Sequence, residues 1–245
     1  MIAEELLRPE ELKQQLLAVG HERYHHKHPF HLLMHQGKLT REHLQAWALN
    51  RYYYQSRIPV KDSIILSRST DAEFRRAWLK RITDHDGAGN QPGGIEKWVR
   101  LAEATGLDRS MVISERAILP GVRYAVDAYL GLVSQRTFVE AVASSLTELF
   151  SRDLISLRID AMRQHYPWLE PGLLYFTARL SQAPEDAAFA LDYVTRNAHT
   201  RAEQELMVGA LRAKCDILWA QLDAIYFAYV TPGWVPAGAF NAGAV

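Results

Sequence analysis

The 245-residue chain contains very little cysteine and has no excess of charge of either sign. Cys215 is its only cysteine, so an internal disulfide cannot form, and a reducing compartment is favoured. Cys215 lies in a segment with a regular pattern of apolar residues, which indicates a buried structural thiol. Lys and Arg number 28, as do Asp and Glu, so no net field would recruit nucleic acid or an anionic membrane. Any cationic binding site must therefore be local.

Targeting and membrane signals are also lacking. Residues 1–5 are acidic rather than basic, no apolar signal region follows them, and no apolar run approaches the length of a membrane span. We therefore predict a cytoplasmic protein that binds neither nucleic acid nor membrane. With 48% hydrophobic and 23% charged residues, the composition is that of an ordinary globular protein.

Helix signals occur along nearly the whole chain, whereas no segment alternates strictly as a half-buried strand would. Two capping boxes, Thr137 with Glu140 and Thr200 with Glu203, begin apolar segments. Pro59 and Pro184 predict helix breaks. We predict helices near residues 9–19, 29–36, 41–57, 60–68, 72–86, 94–105, 121–135, 138–164, 171–182, 185–198 and 201–229.

These helices predict a single all-α domain over residues 1–245, with a core at about 8–229. The tail, 231–245, is rich in Gly, Ala and Pro and is expected to lie on the surface or on a partner. The aromatic side chains near the C-terminus have two possible roles. They could pack on the chain's own bundle, or they could form a contact surface between two copies of the chain.

Five of the 10 histidines lie in residues 21–31, which raises the question of a metal site. Glu22 and His25 have the spacing of half a di-iron signature, but such a site needs a second Glu-x-x-His and further Glu ligands. The sequence offers no second copy. We therefore expect no metal and instead predict that this segment contributes one or two histidines to a pocket.

Three sets of polar residues recur at helical spacing. Arg51, Tyr54 and Gln55 share one helix face, and the two other sets are Arg81 with His85 and Tyr175 with Arg179. Arg and Lys bind carboxylates, while Tyr and Gln direct hydrogen bonds, so the sets suggest a cationic pocket for a small polycarboxylate. Taken singly, each set is better explained by a solvated helix surface or a structural ion pair.

Two titratable residues are candidates for acid–base roles. His85 lies at the C-terminal end of the predicted helix 72–86, where the helix dipole favours the protonated imidazole, so it could act as a general acid or base. A capping histidine paired with a neighbouring Asp is the alternative. Glu148 lies far inside a predicted helix, and a buried Glu is either a paired structural charge or a functional acid.

Longer runs resemble the pyrroloquinoline-quinone (PQQ) synthase family, part of the heme-oxygenase-like superfamily. The resemblance is ordered along residues 20–229 and is carried by NRYYYQ (50–55), IPVKD (58–62), DHDG (84–87), LPGVRYAVDAY (119–129), SSLTELF (144–150), QHYPW (164–168) and KCDILW (214–219).

The resemblance implies a bundle of about seven main helices, a homodimer, and an oxidase that needs no metal or organic redox cofactor. Members of the family close a ring on a tricarboxylate quinone precursor and oxidise it with O2, releasing H2O2 and PQQ. The implied catalytic residues are His85, Tyr175 and Arg179. The implied substrate-binding residues are His25, Arg51, Tyr54, Gln55, Lys61, Arg81, Tyr129, Glu148, Arg158 and Lys214.

One position departs from the family pattern. The family has a histidine seven residues after the glutamate of the SSLTELF run, at the oxygen-handling end of the pocket, and here Ile155 stands in its place. Isoleucine can neither donate a hydrogen bond nor transfer a proton. A divergent member that binds or only partly oxidises the precursor therefore remains an alternative. A thiaminase-like enzyme and a di-iron oxidase on the same fold are separate alternatives.

Overall fold

The computed structural model describes residues 5–241, except for the side chains of residues 152 and 153. Within that range the chain forms eleven α-helices. They are α1 (Pro9–Arg23), α2 (Pro29–His35), α3 (Arg41–Ser67), α4 (Ala72–Asp86), α5 (Gly94–Ala104), α6 (Arg109–Ser114), α7 (Pro120–Gln135), α8 (Phe138–Ala143), α9 (Ser151–His165), α10 (Leu174–Arg196) and α11 (Arg201–Tyr229).

Short elements connect these helices. Three 3-10 helices span His25–Lys27, Ser144–Phe150 and Pro167–Gly172, and a two-residue antiparallel hairpin pairs β1 (Gly87–Ala88) with β2 (Gln91–Pro92). The all-α prediction is confirmed, although the helices outnumber the seven expected. In the part of the chain that the structure describes, no helix is long and apolar enough to cross a bilayer.

Helix α3 forms the centre of the bundle, packing against α4, α5 and α7. It continues through Pro59, so the predicted break there is wrong. Proline removes one backbone hydrogen bond and strains the preceding turn. Fourteen of the 27 residues of α3 are buried, and this packing outweighs the local cost. Helix α10 likewise continues through Pro184, where a second break was predicted.

The predicted helix 138–164 is divided by the 3-10 helix Ser144–Phe150. The Ser144 hydroxyl donates to the Ala141 carbonyl oxygen at 2.7 Å and so competes with regular helical hydrogen bonding. This segment packs against α10 and α11. The change in helix type places Glu148 in the interior of the bundle.

The C-terminal segment folds back onto the bundle as far as the structure describes it. Phe240 is buried; its N–H donates to the Ala117 carbonyl oxygen at 3.0 Å, and its own carbonyl accepts from the Tyr229 hydroxyl at 2.9 Å. Phe227 and Trp234, in contrast, remain 50% and 70% exposed and pack edge to face. The aromatic cluster is thus divided between the core and the surface.

Candidate functional site

A cavity with about 930 Å³ of empty space, counted to its mouth, lies in the middle of the bundle. The polar and charged side chains that line it come from separate elements: His25 and His31, then α3, α4 and α7, then the segment 144–150, and finally α9 and α10. Trp47, Trp98 and Phe176 supply much of the apolar wall.

The cavity brings together twelve of the thirteen site residues predicted from the sequence. They are His25, Arg51, Tyr54, Gln55, Lys61, Arg81, His85, Tyr129, Glu148, Arg158, Tyr175 and Arg179. Lys214 does not line the cavity. It lies behind the wall, only 1% exposed, and its Nζ donates to the Tyr54 hydroxyl at 2.9 Å. Lys214 can therefore act on a ligand only through its neighbours.

Glu148 joins two arginines at one end of the cavity. Its Oε2 accepts from Arg81 Nη1 at 2.7 Å, and its Oε1 accepts from Arg179 Nη2 at 2.9 Å. Burial alone would raise the pKa of Glu148, but the two guanidinium groups outweigh burial and lower it. Glu148 is therefore a paired carboxylate with a lowered pKa, which favours the alternative of a structural charge over that of a functional acid.

Two further carboxylates, neither recognised from the sequence, complete this network. Asp62 accepts from Lys61 Nζ at 2.5 Å and from Arg81 Nε at 3.3 Å. Asp186 lies 3.4 Å from Arg179 Nη1 and 3.7 Å from Arg81 Nη1. Asp62 follows Lys61 directly in the chain, but Asp186 is 38 residues from Glu148 and no local spacing could have pointed to it.

Arg51 and Arg158 form a contrasting end, because neither pairs with a carboxylate among the residues described. Arg51 donates to Gln221 Oε1 at 3.2 Å and stacks on the Tyr54 ring. Arg158 is 7% exposed, and its Nε has no hydrogen-bond partner. Burial lowers the pKa of Arg158 to about 10, which still leaves it charged at neutral pH. Two uncompensated cations thus face one cavity.

Histidines surround Arg158. His31 Nδ1 lies 3.1 Å from His25 Nδ1 and 3.2 Å from Arg158 Nη2. Burial, with the nearby arginines, holds the pKa of His25 and of His31 well below the usual range, so both are neutral. The prediction that residues 21–31 contribute one or two pocket histidines is confirmed, although His31 was not among the residues named for the site.

His85 lies at the end of α4, but it is not protonated there. Its Nδ1 donates to the Arg81 carbonyl oxygen at 3.0 Å, so Nε2 keeps its lone pair in the neutral ring. Burial and then the Arg179 charge lower the pKa of His85 to about 4. The prediction that the helix dipole favours imidazolium is wrong, because burial outweighs the dipole. A neutral imidazole in a cavity wall can accept a proton.

Tyr175 and Gln55 contact each other across the cavity. The Tyr175 hydroxyl donates to Gln55 Oε1 at 3.0 Å, and the Tyr175 ring packs edge to face on Trp98 at 4.9 Å. Ile155 also lines the cavity and is 8% exposed. At the position where a histidine was expected, the wall is therefore apolar.

Other chemistries find less support in the described residues. They contain no cluster of three or more His, Cys, Asp or Glu side chains that could hold a metal ion. Glu22, the carboxylate half of the di-iron spacing, pairs with Arg23 at the surface. Cys215 is fully buried outside the cavity, and burial raises its pKa to about 12. The prediction of a structural thiol is confirmed.

Solved structures with the same fold are distant in sequence. A domain from Shewanella denitrificans with a heme oxygenase-like fold superposes with a TM-score of 0.77 at 13% identity, covering 97% of this chain and all of that one. A TenA homologue from Pseudomonas syringae gives a TM-score of 0.73 at 12% identity, over 93% of this chain and 99% of that one. These likenesses confirm the heme-oxygenase-like fold.

Curated proteins are far more similar in sequence. A pyrroloquinoline-quinone synthase from Acidiphilium cryptum is 55% identical over 96% of both chains. The bifunctional coenzyme PQQ synthesis protein C/D of Methylorubrum extorquens is 52% identical over 97% of this chain and 64% of its own length. Residues 13–224 match the TENA/THI-4/PQQC family, and the chain belongs to that family.

Proposed function

We propose that this protein is a PQQ synthase that closes a ring on a tricarboxylate quinone precursor and oxidises it with O2, releasing H2O2. The observation that carries the proposal is that two arginines, the half-buried Arg51 and the buried Arg158, face the cavity without a carboxylate partner in the described structure. Buried cations are retained where an anion offsets their desolvation. The relatives at 52–55% identity are named pyrroloquinoline-quinone synthases, which supports a quinone precursor as that anion.

In this mechanism the two ends of the cavity have different tasks. Arg51 and Arg158 bind carboxylates of the precursor, while Gln55 and Tyr175 orient its ring so that its own amine can add to a carbonyl. His85 accepts protons at Nε2 during closure and oxidation. Arg179, held by Glu148, stabilises negative charge as oxygen is reduced.

The electrons for oxygen come from the substrate. The reduced precursor is electron-rich, and its oxidation to the quinone transfers two electrons and two protons to each O2, which leaves as H2O2. We propose that the protein supplies binding and proton transfer without a resident metal or redox cofactor. The apolar Ile155 then leaves Tyr175 and Arg179 to flank the oxygen position.

An oxygen electrode tests this proposal directly. Adding the precursor to the purified protein should consume O2, form H2O2 and produce the absorbance of PQQ. Elemental analysis of the same sample should find no stoichiometric iron. Binding without oxygen uptake would reduce the protein to a carrier, and oxygen uptake without PQQ would favour the divergent member that oxidises the precursor only in part.

A thiaminase-like hydrolase is the rival on the same fold. It would need a nucleophilic cysteine in the cavity, whereas Cys215 lies outside it with a raised pKa. Hydrolysis of thiamin by the purified protein would support this rival and contradict the synthase.

We also propose a homodimer, as the resemblance implies. The exposed Phe227 and Trp234 offer one apolar patch for such a contact. Sedimentation equilibrium should give twice the chain mass of 27.9 kDa. A charged substitution such as Trp234→Glu should weaken the association if this patch is the interface.

A further inference from the structure

Asp186 is a buried carboxylate on α10 that belongs to the ion network but does not line the cavity. It is 7% exposed and touches the site only through arginines. Its contacts of 3.4 Å to Arg179 and 3.7 Å to Arg81 are longer than those that the same two arginines make with Glu148, at 2.9 and 2.7 Å. Of the two carboxylates that share these arginines, Asp186 is the more weakly held.

The charges around Asp186 come from three elements. Lys80 and Arg81 face it from α4, Glu148 faces it from the 3-10 helix Ser144–Phe150, and Arg179 lies on its own helix. Burial, followed by repulsion from Glu148, raises the pKa of Asp186 to about 6, against the attraction of the arginines. Near neutral pH, a small further rise in this pKa is therefore enough to protonate Asp186.

The balance of charges in the site shows what would raise this pKa further. Five cations line the cavity, and three carboxylates lie among or behind them, which leaves two positive charges. The cations are Arg51, Lys61, Arg81, Arg158 and Arg179, and the carboxylates are Asp62, Glu148 and Asp186. Lys214 is left out of this count, because it lies behind the cavity wall and donates to the Tyr54 hydroxyl rather than to a carboxylate of the site. A bound tricarboxylate brings three negative charges and leaves the site with one in excess.

We infer that Asp186 is a positioning residue that takes up a proton when the cavity binds its polyanionic ligand and so releases Arg179 toward that ligand. This inference rests on the proposed function, since it needs a polycarboxylate in the cavity. An anion near Arg179 competes for the guanidinium and repels the Asp186 charge. Protonation of Asp186 removes both the competition and the excess charge.

Calorimetry with PQQ, the product of the proposed reaction, tests the inference in buffers of different ionisation enthalpy. At pH 7 the natural protein should take up about half a proton or more per PQQ bound, because the anion shifts the pKa of one carboxyl across this pH. Asp186→Asn, which carries no titrating group, should bind PQQ with almost no proton uptake. Between pH 6 and pH 8, the PQQ affinity of the natural protein should fall roughly three- to tenfold more than the PQQ affinity of Asp186→Asn.

Asp192→Asn is the matched control. It lies on the same helix, but it is exposed and pairs with Arg196 rather than with the site, so proton uptake should stay as in the natural protein. If the natural protein binds PQQ without proton uptake, or if Asp186→Asn takes up as much, the inference is overturned while the proposed function stands. If PQQ does not bind to the natural protein, the proposed function fails, and the inference fails with it.

Discussion

The residue with the clearest expected effect on ligand binding is Arg158. Its partners are the neutral His31 and the rings of Trp47 and Phe176, so its charge is available to an anion. We expect Arg158→Met to raise the Kd for PQQ about 10- to 100-fold, the size of one charge-assisted hydrogen bond. Equilibrium titration measures this change.

Arg163→Met is the matched control for that variant. Arg163 lies on the same helix but is exposed, and it pairs with Glu170 at 3.0 Å. Its substitution should change the Kd less than about twofold, as is usual for an exposed ion pair. Equal losses in the two variants would contradict the binding role of Arg158.

His85 should affect turnover and not binding. Because its neutral Nε2 is the proposed proton acceptor, His85→Ala should lower kcat roughly 100-fold or more while leaving the Kd for PQQ within about threefold. Single-turnover kinetics and titration separate the two quantities. His199→Ala, at an exposed position, is the control. Unchanged kcat in His85→Ala would exclude the proposed role.

At the scale of elements, the 3-10 helix Pro167–Gly172 packs closely against α5. A Cβ atom on Gly172 would lie 2.6 Å from the Leu101 Cα, a backbone atom that cannot move aside. We expect Gly172→Ala to lower the free energy of unfolding by about 1–3 kcal/mol, the usual cost of overpacking. Urea denaturation measures it through the transition midpoint.

Gly209, in α11, provides the opposite case. A Cβ atom there would meet nothing within 4 Å, so Gly209→Ala should leave stability unchanged or raise it by up to about 1 kcal/mol. If both variants behaved alike, close packing of the 3-10 helix on α5 would not be the reason for glycine at 172.

Most elements were predictable from the sequence, and the exceptions have physical causes. Caps such as Thr137 and Thr200 are local signals, and both act as predicted. Pro59 and Pro184 are local signals too, but tertiary packing overrides them. Helix α6 and the small hairpin are short elements whose weak patterns gave no prediction.

The site was predicted in composition but not in detail. Helical spacing linked Arg81 to His85, and the resemblance linked these to residues far along the chain. Neither could reveal that Asp186 shares the arginines, or that Lys214 lies behind Tyr54, because both depend on how separate helices pack. The protonation of His85 was mispredicted because burial is a property of the fold and not of the helix end.

For the whole molecule, buried histidines make stability dependent on pH. His25, His31 and His85 have lowered pKa values in the folded protein, so below about pH 6.5 the unfolded chain binds protons that the folded one does not. The contribution of these histidines to the free energy of unfolding is fully present above pH 6.5 and is lost as the pH falls toward 4. Asp186, with a raised pKa, acts in the opposite direction, but burial also lowers the pKa values of His28 and His35, which adds to the effect of the histidines.

We therefore expect the free energy of unfolding to fall between pH 7 and pH 5. A group like His85, with a pKa of about 4, accounts for roughly 1.5 kcal/mol of that loss. Chemical denaturation at a series of pH values measures it. His85→Gln should flatten the dependence, whereas His199→Gln, at an exposed site, should not. A flat profile in the natural protein would contradict this account.

The two buried tryptophans of the cavity wall have a practical consequence. Trp47 and Trp98 lie with their rings 5.1 Å apart and are 2% and 1% exposed. An aromatic quinone that enters the cavity comes within range to quench their emission. The protein thus carries an intrinsic optical reporter of occupancy, which makes ligand entry observable in real time without a label and independently of turnover.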